Sequence, residues 1–423
     1  MTPGPDLLIK NVTLPDGRIA DVSVADGVVS HIGAGLRADI VIEGNRRLCL
    51  PGGVDMHVHM RGGPQSEKET WSSGSRSALA GGVTVVIDQP NQVPPVRNPP
   101  SFQARREEAE RESLCNFGIN GAVRPDADIE GLWRAGATAF GETFAAASSY
   151  GEAVGYDALA ALLRRIRPLG ALVTIHAEKV REGQDVSLSV HNALRTGTGE
   201  AEAVSEVANL NPEGGALHFC HLSCIHAIDA ACGSIEVTPH HLFLSYEMFA
   251  DSDGRGKVNP PLRSEKARKK VWSRWERIDV IASDHAPHTR SEKNGAFPGV
   301  PSGIPGVETM IPLLLAAVYE RRISLASVVE KTSSTPARLL GMKAPGCRPG
   351  CRADLALYPE EPRPVDPDAL HSRAGWSPYA GMPAVFPDIV LVSGDIAFDN
   401  GDFSGNRGAW LPGRGYLGDH TQK

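Results

Sequence analysis

The sequence predicts an α/β protein in which a parallel (β/α)8 barrel is inserted into a small β-sandwich built from both termini. Strand-like runs occur at both ends of the chain, and strand-like and helical patterns alternate between them. The 423 residues exceed one average domain, and a barrel with an appended unit accounts for them. We expect residues 1–50 and 346–423 to form the sandwich, and residues 51–345 to form the catalytic barrel.

The two ends of the chain share the same pattern of short apolar runs separated by turns. In the N-terminal fifty residues the turns include Asp16-Gly17 and Asp26-Gly27, which are typical of hairpins. Matching runs lie within residues 353–358 and 388–401. Since the N-terminal set is incomplete alone, we expect the two ends to pair.

The middle region contains eight strand-like runs with helical patterns between several of them. The runs lie near residues 54–60, 82–89, 115–122, 136–144, 170–177, 216–222, 235–243 and 278–284. Helical patterns include Ser101–Arg111, Tyr156–Arg167 and Glu200–Ala208. This alternation favours a closed parallel barrel over an open sheet. In such barrels the chemistry lies at the C-terminal ends of the strands.

Histidines and carboxylates lie on or at the ends of several of these runs. His57 and His59 are two residues apart on a strand, so their side chains point to the same side. A lone histidine is more often a satisfied interior group, but four histidines and two carboxylates at matching ends of the barrel favour a metal site. The candidate ligands are His57, His59, Glu142, His176, His221 and Asp284.

This donor set indicates metal-assisted hydrolysis. Imidazoles and carboxylates without thiolates suit zinc, manganese or a similar divalent ion, and six ligands suffice for two ions if one carboxylate bridges them. Such ions can bind hydroxide at neutral pH, polarise a carbonyl and stabilise an oxyanion. Asp284 is then placed to take the proton from the hydroxide nucleophile and deliver it to the leaving nitrogen, as general base and acid.

Composition narrows the class of protein. The formal net charge of −7 argues against a general nucleic-acid surface. No run of 18 apolar residues and no basic-then-apolar leader occurs, so we expect neither a membrane span nor a secretory signal. Seven cysteines, two pairs of them with x3 spacing, are expected as buried thiols rather than as a structural metal site. These features predict a cytoplasmic protein.

The residues resemble the cyclic amidohydrolases of the amidohydrolase superfamily, most closely the dihydroorotases. The resemblance covers nearly the whole chain and lies in residues 51–61, 81–91, 176–178, 236–242, 257–263, 283–288, 302–306 and 335–337. It implies a TIM-type metal-dependent hydrolase barrel, with zinc the favoured ion and one or two ions per chain. Self-association into a homo-oligomer is a further expectation from the family.

The resemblance also implies the substrate contacts. Arg61, Asn91 and His288 correspond to positions that hold the substrate carboxylate, and Asn259 to one that contacts the pyrimidine ring. A guanidinium matches a carboxylate, which allantoin and plain hydantoins lack. The expected reaction interconverts (S)-dihydroorotate and N-carbamoyl-L-aspartate in de novo pyrimidine biosynthesis. The alternative for Arg61 is an ion pair at the surface or behind the residues that contact the substrate.

One feature departs from the family. Its members usually bridge the metals with a carboxylated lysine on the fourth strand, but no lysine occurs between Lys68 and Lys179. We therefore expect no carboxylated lysine and assign the bridge to the carboxylate of Glu142. Because a glutamate side chain is shorter than a carboxylated lysine, a site with one metal ion is an alternative. A second alternative is that Glu142 is a buried residue paired with an arginine.

Two other functions stay open at this point. One is another cyclic amidohydrolase, of the allantoinase or the hydantoinase/dihydropyrimidinase type. The other is an inactive dihydroorotase-like scaffold for aspartate transcarbamoylase, which the complete set of histidines disfavours. The roles of His240 and His241 are also open, with one of them expected beside the metal ligands and the other structural.

Overall fold

Five strands precede the barrel in the computed structural model, which describes residues 6–145, 153–212 and 214–418. They are β1 Leu7–Thr13, β2 Ile19–Ala25, β3 Val28–Gly33, β4 Ile40–Glu43 and β5 Leu48–Pro51. β1 pairs antiparallel with β2 and parallel with β4. Asp26 and Gly27 link β2 to β3 with φ values of 50° and 71°, so the Asp-Gly hairpin predicted here has the left-handed turn that the pair favours.

Eight parallel strands then form the barrel. They are β6 Gly53–Val58, β7 Val83–Asp88, β8 Asn116–Ile119, β9 Phe140–Phe144, β10 Val173–His176, β11 Leu217–Phe219, β12 Ser234–Val237 and β13 Val280–Ile281. Bridges from Gly121 to Phe140 and from Val58 to His285 join the two sheets into a ring. The predicted fold class is therefore confirmed. The seventh predicted run is wrong in its second half, because Pro239 begins a short helix there.

Thirteen α-helices are found among the described residues. They are α1 Trp71–Ala80, α2 Pro99–Glu112, α3 Ile129–Ala135, α4 Tyr156–Ile166, α5 Leu188–Leu194, α6 Gly197–Asn209, α7 Ile225–Ala230, α8 Pro239–Phe243, α9 Glu265–Trp272, α10 Arg290–Lys293, α11 Met310–Tyr319, α12 Leu325–Val329 and α13 Thr335–Leu340. α2 shows why they start where they do: the Asn98 side chain accepts from the Ser101 backbone N–H at 3.0 Å, and Pro99 takes the first position. Among the described residues, no helix is both long and apolar enough to cross a membrane.

The C-terminal strands complete the sheet that the N-terminal strands begin. They are β14 Leu355–Tyr358, β17 Ile389–Val392, β18 Asp395–Asp399 and β19 Asp402–Phe403. Two further strands, β15 Arg363–Pro364 and β16 Pro383–Ala384, pair with each other in a separate two-stranded sheet. β14 pairs antiparallel with both β5 and β17, which gives one continuous nine-stranded sheet. Ile9, Val24, Leu355 and Leu391 belong to the separate apolar core of this sheet.

Part of the C-terminal region lies against the barrel instead of the sheet. Trp376 and Tyr379 are buried with Leu244 and Ile304 of the barrel loops, because the segment between β15 and β16 carries large apolar side chains. Trp410 bridges to Phe117 of β8. The domain bounds given above stay a prediction. The packing of Trp376, Tyr379 and Trp410 shows that part of the C-terminal region belongs with the barrel and not with the nine-stranded sheet.

Candidate active site

The first donor group consists of His57, His59 and Asp284. His57 lies on β6 and His59 directly follows that strand, while Asp284 follows β13, which lies beside β6 in the ring. His59 Nε2 lies 3.3 Å from Asp284 Oδ1, and His57 Nε2 lies 3.6 Å from the same oxygen. All three residues are buried, so the nitrogens and the carboxylate meet away from bulk water.

The second donor group consists of His176 at the end of β10 and His221 just after β11. His176 Nδ1 lies 3.2 Å from His221 Nε2. Both side chains are 1% exposed, so their ring nitrogens are withdrawn from solvent as completely as those of the first group.

Glu142 on β9 lies between the two donor groups. Its Oε1 is 2.7 Å from His221 Nε2 and 3.1 Å from His176 Nδ1. Its Oε2 faces the first group, 3.5 Å from His57 Nε2 and 3.9 Å from His59 Nε2. Each carboxylate oxygen thus faces a different donor group, which is the arrangement that a bridging ligand requires. Within the part of the chain that the structure describes, the ion pairs of Glu142 are with these histidines.

The charges of the site favour a cation. Burial alone would raise the pKa of Glu142, but the charge on His57 and the hydrogen bonds from His176 and His221 hold this pKa well below its usual range. Burial alone would lower the pKa of His176, but Glu142 and Glu178 raise it to about 9. The same negative charges that keep protons on these buried histidines would attract a divalent ion, which would bind to the ring nitrogens instead of the protons.

The spacing of the donor atoms also fits a metal. Zinc–ligand bonds of about 2.0–2.2 Å in a tetrahedron put neighbouring ligand atoms roughly 3.3–3.5 Å apart. The separations in the first donor group and to Glu142 are close to this value. His57 Nε2 is buried and has no hydrogen-bond partner among the described residues, as expected for a ligand nitrogen.

Partners behind three of the histidines set which nitrogen faces the cluster. His57 Nδ1 pairs with Glu236 Oε1 at 2.9 Å, and His59 Nδ1 pairs with Asn91 Oδ1 at 2.8 Å. His176 Nε2 pairs with Glu178 Oε2 at 2.7 Å. These bonds fix the tautomers and leave the opposite nitrogen free to bind an ion.

Two of these partners were not predicted from the sequence. Glu178 and Glu236 have side chains that are only 1% exposed, although an unpaired glutamate is almost never buried so fully. Glu178 lies two residues after the predicted ligand His176, and Glu236 lies within the apolar run that became β12. A glutamate inside a buried strand was the available signal.

A small cavity joins the predicted metal ligands to the predicted substrate contacts. It has a volume of about 40 Å³ and is lined by His59, Arg61, Asn91, Glu142, Phe144, His176, Asn259, Asp284, Ala286, Ser302 and Gly303. Asn259 Oδ1 accepts from Ser302 Oγ at 3.1 Å, so two segments that border the cavity are tied together.

His288 lies outside the lining of this cavity. It is fully buried, and its Nε2 donates to the Ser302 backbone carbonyl at 3.1 Å. Its Nδ1 lies 3.6 Å from Glu292 Oε2. Burial lowers the pKa of His288 to about 3, so the ring is neutral at physiological pH. His288 therefore reaches the cavity through the backbone that it holds.

Three residues of the site have left-handed backbone conformations. Arg61, His221 and Asp284 have φ values of 51°, 39° and 45°. For residues other than glycine this conformation costs on the order of 1–3 kcal/mol, and such strain clusters at functional sites. In each case the residue lies only a short turn beyond the end of a barrel strand.

The two adjacent histidines after β12 differ. His241 Nδ1 pairs with the Thr238 hydroxyl at 2.9 Å, and its Nε2 donates to the Pro260 carbonyl at 3.0 Å. His241 is thus a structural tie. His240 is fully buried and neither of its ring nitrogens has a hydrogen-bond partner among the described residues. Burial lowers its pKa to about 4.

Comparison with known proteins gives a consistent result. The model of the amidohydrolase family matches residues 48–396. A protein named dihydroorotase from Methanosarcina acetivorans is 38% identical, and the alignment covers 99% of this chain and 98% of that protein. A protein of the same name from Halobacterium salinarum is also 38% identical, over 93% of this chain and 96% of its own length.

Solved structures match over the same extent. The L-hydantoinase (dihydropyrimidinase) from Arthrobacter aurescens superimposes with a TM-score of 0.89 at 26% identity, covering 96% of this chain and 100% of that one. A D-hydantoinase structure gives a TM-score of 0.87 at 24% identity, which shows the shared fold.

Proposed function

The chain belongs to the amidohydrolase family, and from this membership we propose that it interconverts (S)-dihydroorotate and N-carbamoyl-L-aspartate in de novo pyrimidine biosynthesis. The observation that carries the proposal is the cavity in which Arg61 borders the same space as Glu142 and Asp284. That pairing supports a substrate with both a carboxylate and a cyclic amide. The relatives named dihydroorotase, at 38% identity over nearly the full chain, support it further.

The ion proposed for the site is zinc, with two ions bridged by Glu142. His57, His59 and Asp284 would hold one ion, and His176 and His221 the other. The donor distances of the first group and the position of Glu142 between the groups support this division. When bound, a divalent ion supplies hydroxide at neutral pH and polarises the carbonyl that is attacked.

The chain itself orients the substrate and moves the proton. Arg61 and Asn91 would hold the substrate carboxylate, Asn259 the ring, and His288 the Ser302 backbone beside it. Asp284 would accept the proton of the attacking hydroxide and pass it to the ring nitrogen as the amide C–N bond breaks. In the reverse direction the same carboxylate removes the proton from the ureido nitrogen.

A second candidate is a hydantoinase or dihydropyrimidinase activity, which the likeness to the Arthrobacter enzyme favours. Hydantoins without a carboxylate would not use the guanidinium of Arg61. An inactive scaffold is disfavoured because both donor groups are complete. We propose a small-molecule substrate and a homo-oligomer, which light scattering after size exclusion would test.

The first experiment is turnover of dihydroorotate and of N-carbamoyl-aspartate by the metal-loaded protein, followed by ultraviolet absorbance in both directions. We expect interconversion that is lost in Asp284→Ala, with metal content measured for both proteins. A wild-type protein that retains metal but turns over neither compound would contradict the proposal. Allantoin, hydantoins and dihydropyrimidines would then be compared as substrates.

A further inference from the structure

Glu236 is a buried carboxylate that receives three hydrogen bonds in the centre of the barrel. Its Oε1 accepts from His57 Nδ1 at 2.9 Å and from the backbone N–H of His221 at 3.0 Å. Its Oε2 accepts from His218 Nε2 at 3.0 Å. The side chain is 1% exposed, so its charge is stabilised by these donors and not by water.

The position of Glu236 connects the two donor groups. It lies on β12, and Leu222 donates from its backbone to the Glu236 carbonyl at 2.8 Å, which holds β12 beside the turn that carries His221. β6, which carries His57, is separated from β12 by β13 and is not its neighbour in the ring. One carboxylate oxygen therefore binds a histidine of the first donor group and the backbone of a histidine of the second.

We infer that Glu236 is a positioning residue that orients His57 and His221 together and so sets the metal affinity of both donor groups. This inference rests on the metal site proposed above. The bond to Nδ1 fixes His57 with its Nε2 lone pair facing Glu142 and Asp284, and the negative charge makes that imidazole a stronger ligand. The bond to the His221 backbone supports a turn whose φ of 39° is otherwise unfavourable.

A thiol offers a competing explanation. Donor atoms of His57, Cys220 and Glu236 lie within 4.8 Å of one another, so these three could form a separate ion site. Such a site would need the Nδ1 atom of His57, which is already hydrogen-bonded to Glu236. Burial also raises the pKa of the Cys220 thiol to about 12, which opposes thiolate ligation.

The test is the metal affinity of Glu236→Gln in the full-length chain, measured for Zn²⁺ by competition with a chromophoric chelator. We expect affinity to fall about 10- to 100-fold, as is usual when a carboxylate behind a histidine ligand is removed. The Co²⁺ absorption spectrum of the variant should also change, because the His57 ring is no longer held in one orientation. A purely structural role would leave the affinity and spectrum of the folded variant unchanged.

The matched control is Glu69→Gln. Glu69 is likewise fully buried and pairs with a histidine, His285 Nε2, at 3.3 Å. The other nitrogen of that ring, Nδ1, accepts from the Gly306 backbone N–H, so both nitrogens are bonded outside the donor groups. The Zn²⁺ affinity of Glu69→Gln should stay within about twofold of the wild type, a smaller change than is expected when the carboxylate behind a histidine ligand is lost. Cys220→Ala should also retain Zn²⁺ affinity. A loss of Zn²⁺ affinity in Cys220→Ala would favour the thiol site instead.

Either of two results would overturn the inference: wild-type affinity in folded Glu236→Gln, or in Glu236→Asp if the first variant does not fold. Glu236→Asp keeps the charge but withdraws the carboxylate by one methylene, so we expect an intermediate affinity. Neither measurement uses substrate. A wild-type protein without dihydroorotate turnover would contradict the proposed function, yet the comparison of affinities would still decide the role of Glu236.

Discussion

At the scale of single residues, the site depends on which nitrogen each histidine presents. His57 and His59 present Nε2 and His176 presents Nδ1, since their other nitrogens are bonded to Glu236, Asn91 and Glu178. Residue type and spacing in the sequence predicted the histidines, but not these hydrogen bonds. Glu236 comes beside His57 only when the barrel closes, and Glu178, although two residues from His176, gave no sign in the sequence that its carboxylate would bond to that ring.

Glu142 is the residue on which the two-ion arrangement depends. We expect Glu142→Gln to bind less than two equivalents of metal and to lose at least about 100-fold in kcat, because a neutral amide cannot bridge two cations. Metal analysis with turnover of dihydroorotate measures both effects.

Glu142→Lys is the informative companion variant. A lysine there can be carboxylated, so added bicarbonate should restore part of its activity and leave Glu142→Gln inactive. Full activity with two bound ions in Glu142→Gln would rule out the bridge.

Arg61 should determine preference for an acidic substrate. Replacing it by methionine removes a charge-assisted hydrogen bond worth about 1.5–3 kcal/mol, so kcat/KM for dihydroorotate should fall about 10- to 100-fold. Arg61→Lys should lose less, because it keeps the charge without the fork of donors. Steady-state kinetics with dihydroorotate and an uncharged hydantoin would separate the candidates, since a hydantoinase would be nearly unaffected.

His288 should make stability depend on acid pH. Its pKa is lowered from 6.5 to about 3 by burial, so between these values the unfolded chain binds a proton that the folded chain does not. Stability from this group is therefore present above pH 6.5 and lost as the pH falls toward 3, on the order of 3 kcal/mol at pH 4. Urea unfolding of the wild type and His288→Gln from pH 7 to pH 4 should show a shallower decline in the variant. Parallel declines would contradict this.

At the scale of elements, helix α2 holds the strand end that carries Arg61. Arg105 is 4% exposed, and its guanidinium pairs with Asp88 at 2.8 Å and donates to the Arg61 carbonyl at 2.7 Å. The helix thus fixes the left-handed turn at Arg61 from behind.

Replacing Arg105 by methionine should therefore be costly. It leaves the buried Asp88 carboxylate without its partner, so we expect about 3–5 kcal/mol of destabilisation in urea unfolding and a raised KM for dihydroorotate. Arg111→Met, on the exposed side of the same helix, is the control and should change stability by less than about 0.5 kcal/mol. Equal effects of the two variants would contradict the role of Arg105.

Elements whose apolar residues recur with a regular helix or strand period were predictable from the sequence. Elements whose structure depends on contacts distant in the chain were not. The runs that became β9 and β10 flank the helical pattern that became α4, so the alternation of strands and helices alone indicated the barrel. The helix at Pro239 interrupts an apolar run of ambiguous period. The packing of Trp376 on the barrel depends on partners more than a hundred residues away, such as Leu244, which no local pattern reveals.

At the scale of the whole molecule, bound metal should add to the stability of the barrel. The two donor groups and Glu142 come from five different barrel strands or the turns after them, so an ion that binds these residues binds the folded chain alone. At 100 times the Kd, such binding adds about 2.7 kcal/mol per site. Calorimetry before and after chelation should show a lower melting temperature without metal, restored by Zn²⁺ but not by Mg²⁺. An unchanged melting temperature would contradict a metal site in the barrel.

The pairing of β5 with β14 has a consequence for synthesis of the chain. Pro51 pairs with Leu355, roughly three hundred residues later, so the first strands leave the ribosome long before their partner exists. Closing so long a loop in an unfolded chain is slow, whereas a folded barrel brings its two ends together in advance. During translation the edge of β5 is exposed, and nascent chains on polysomes are where mispairing between copies is most to be expected.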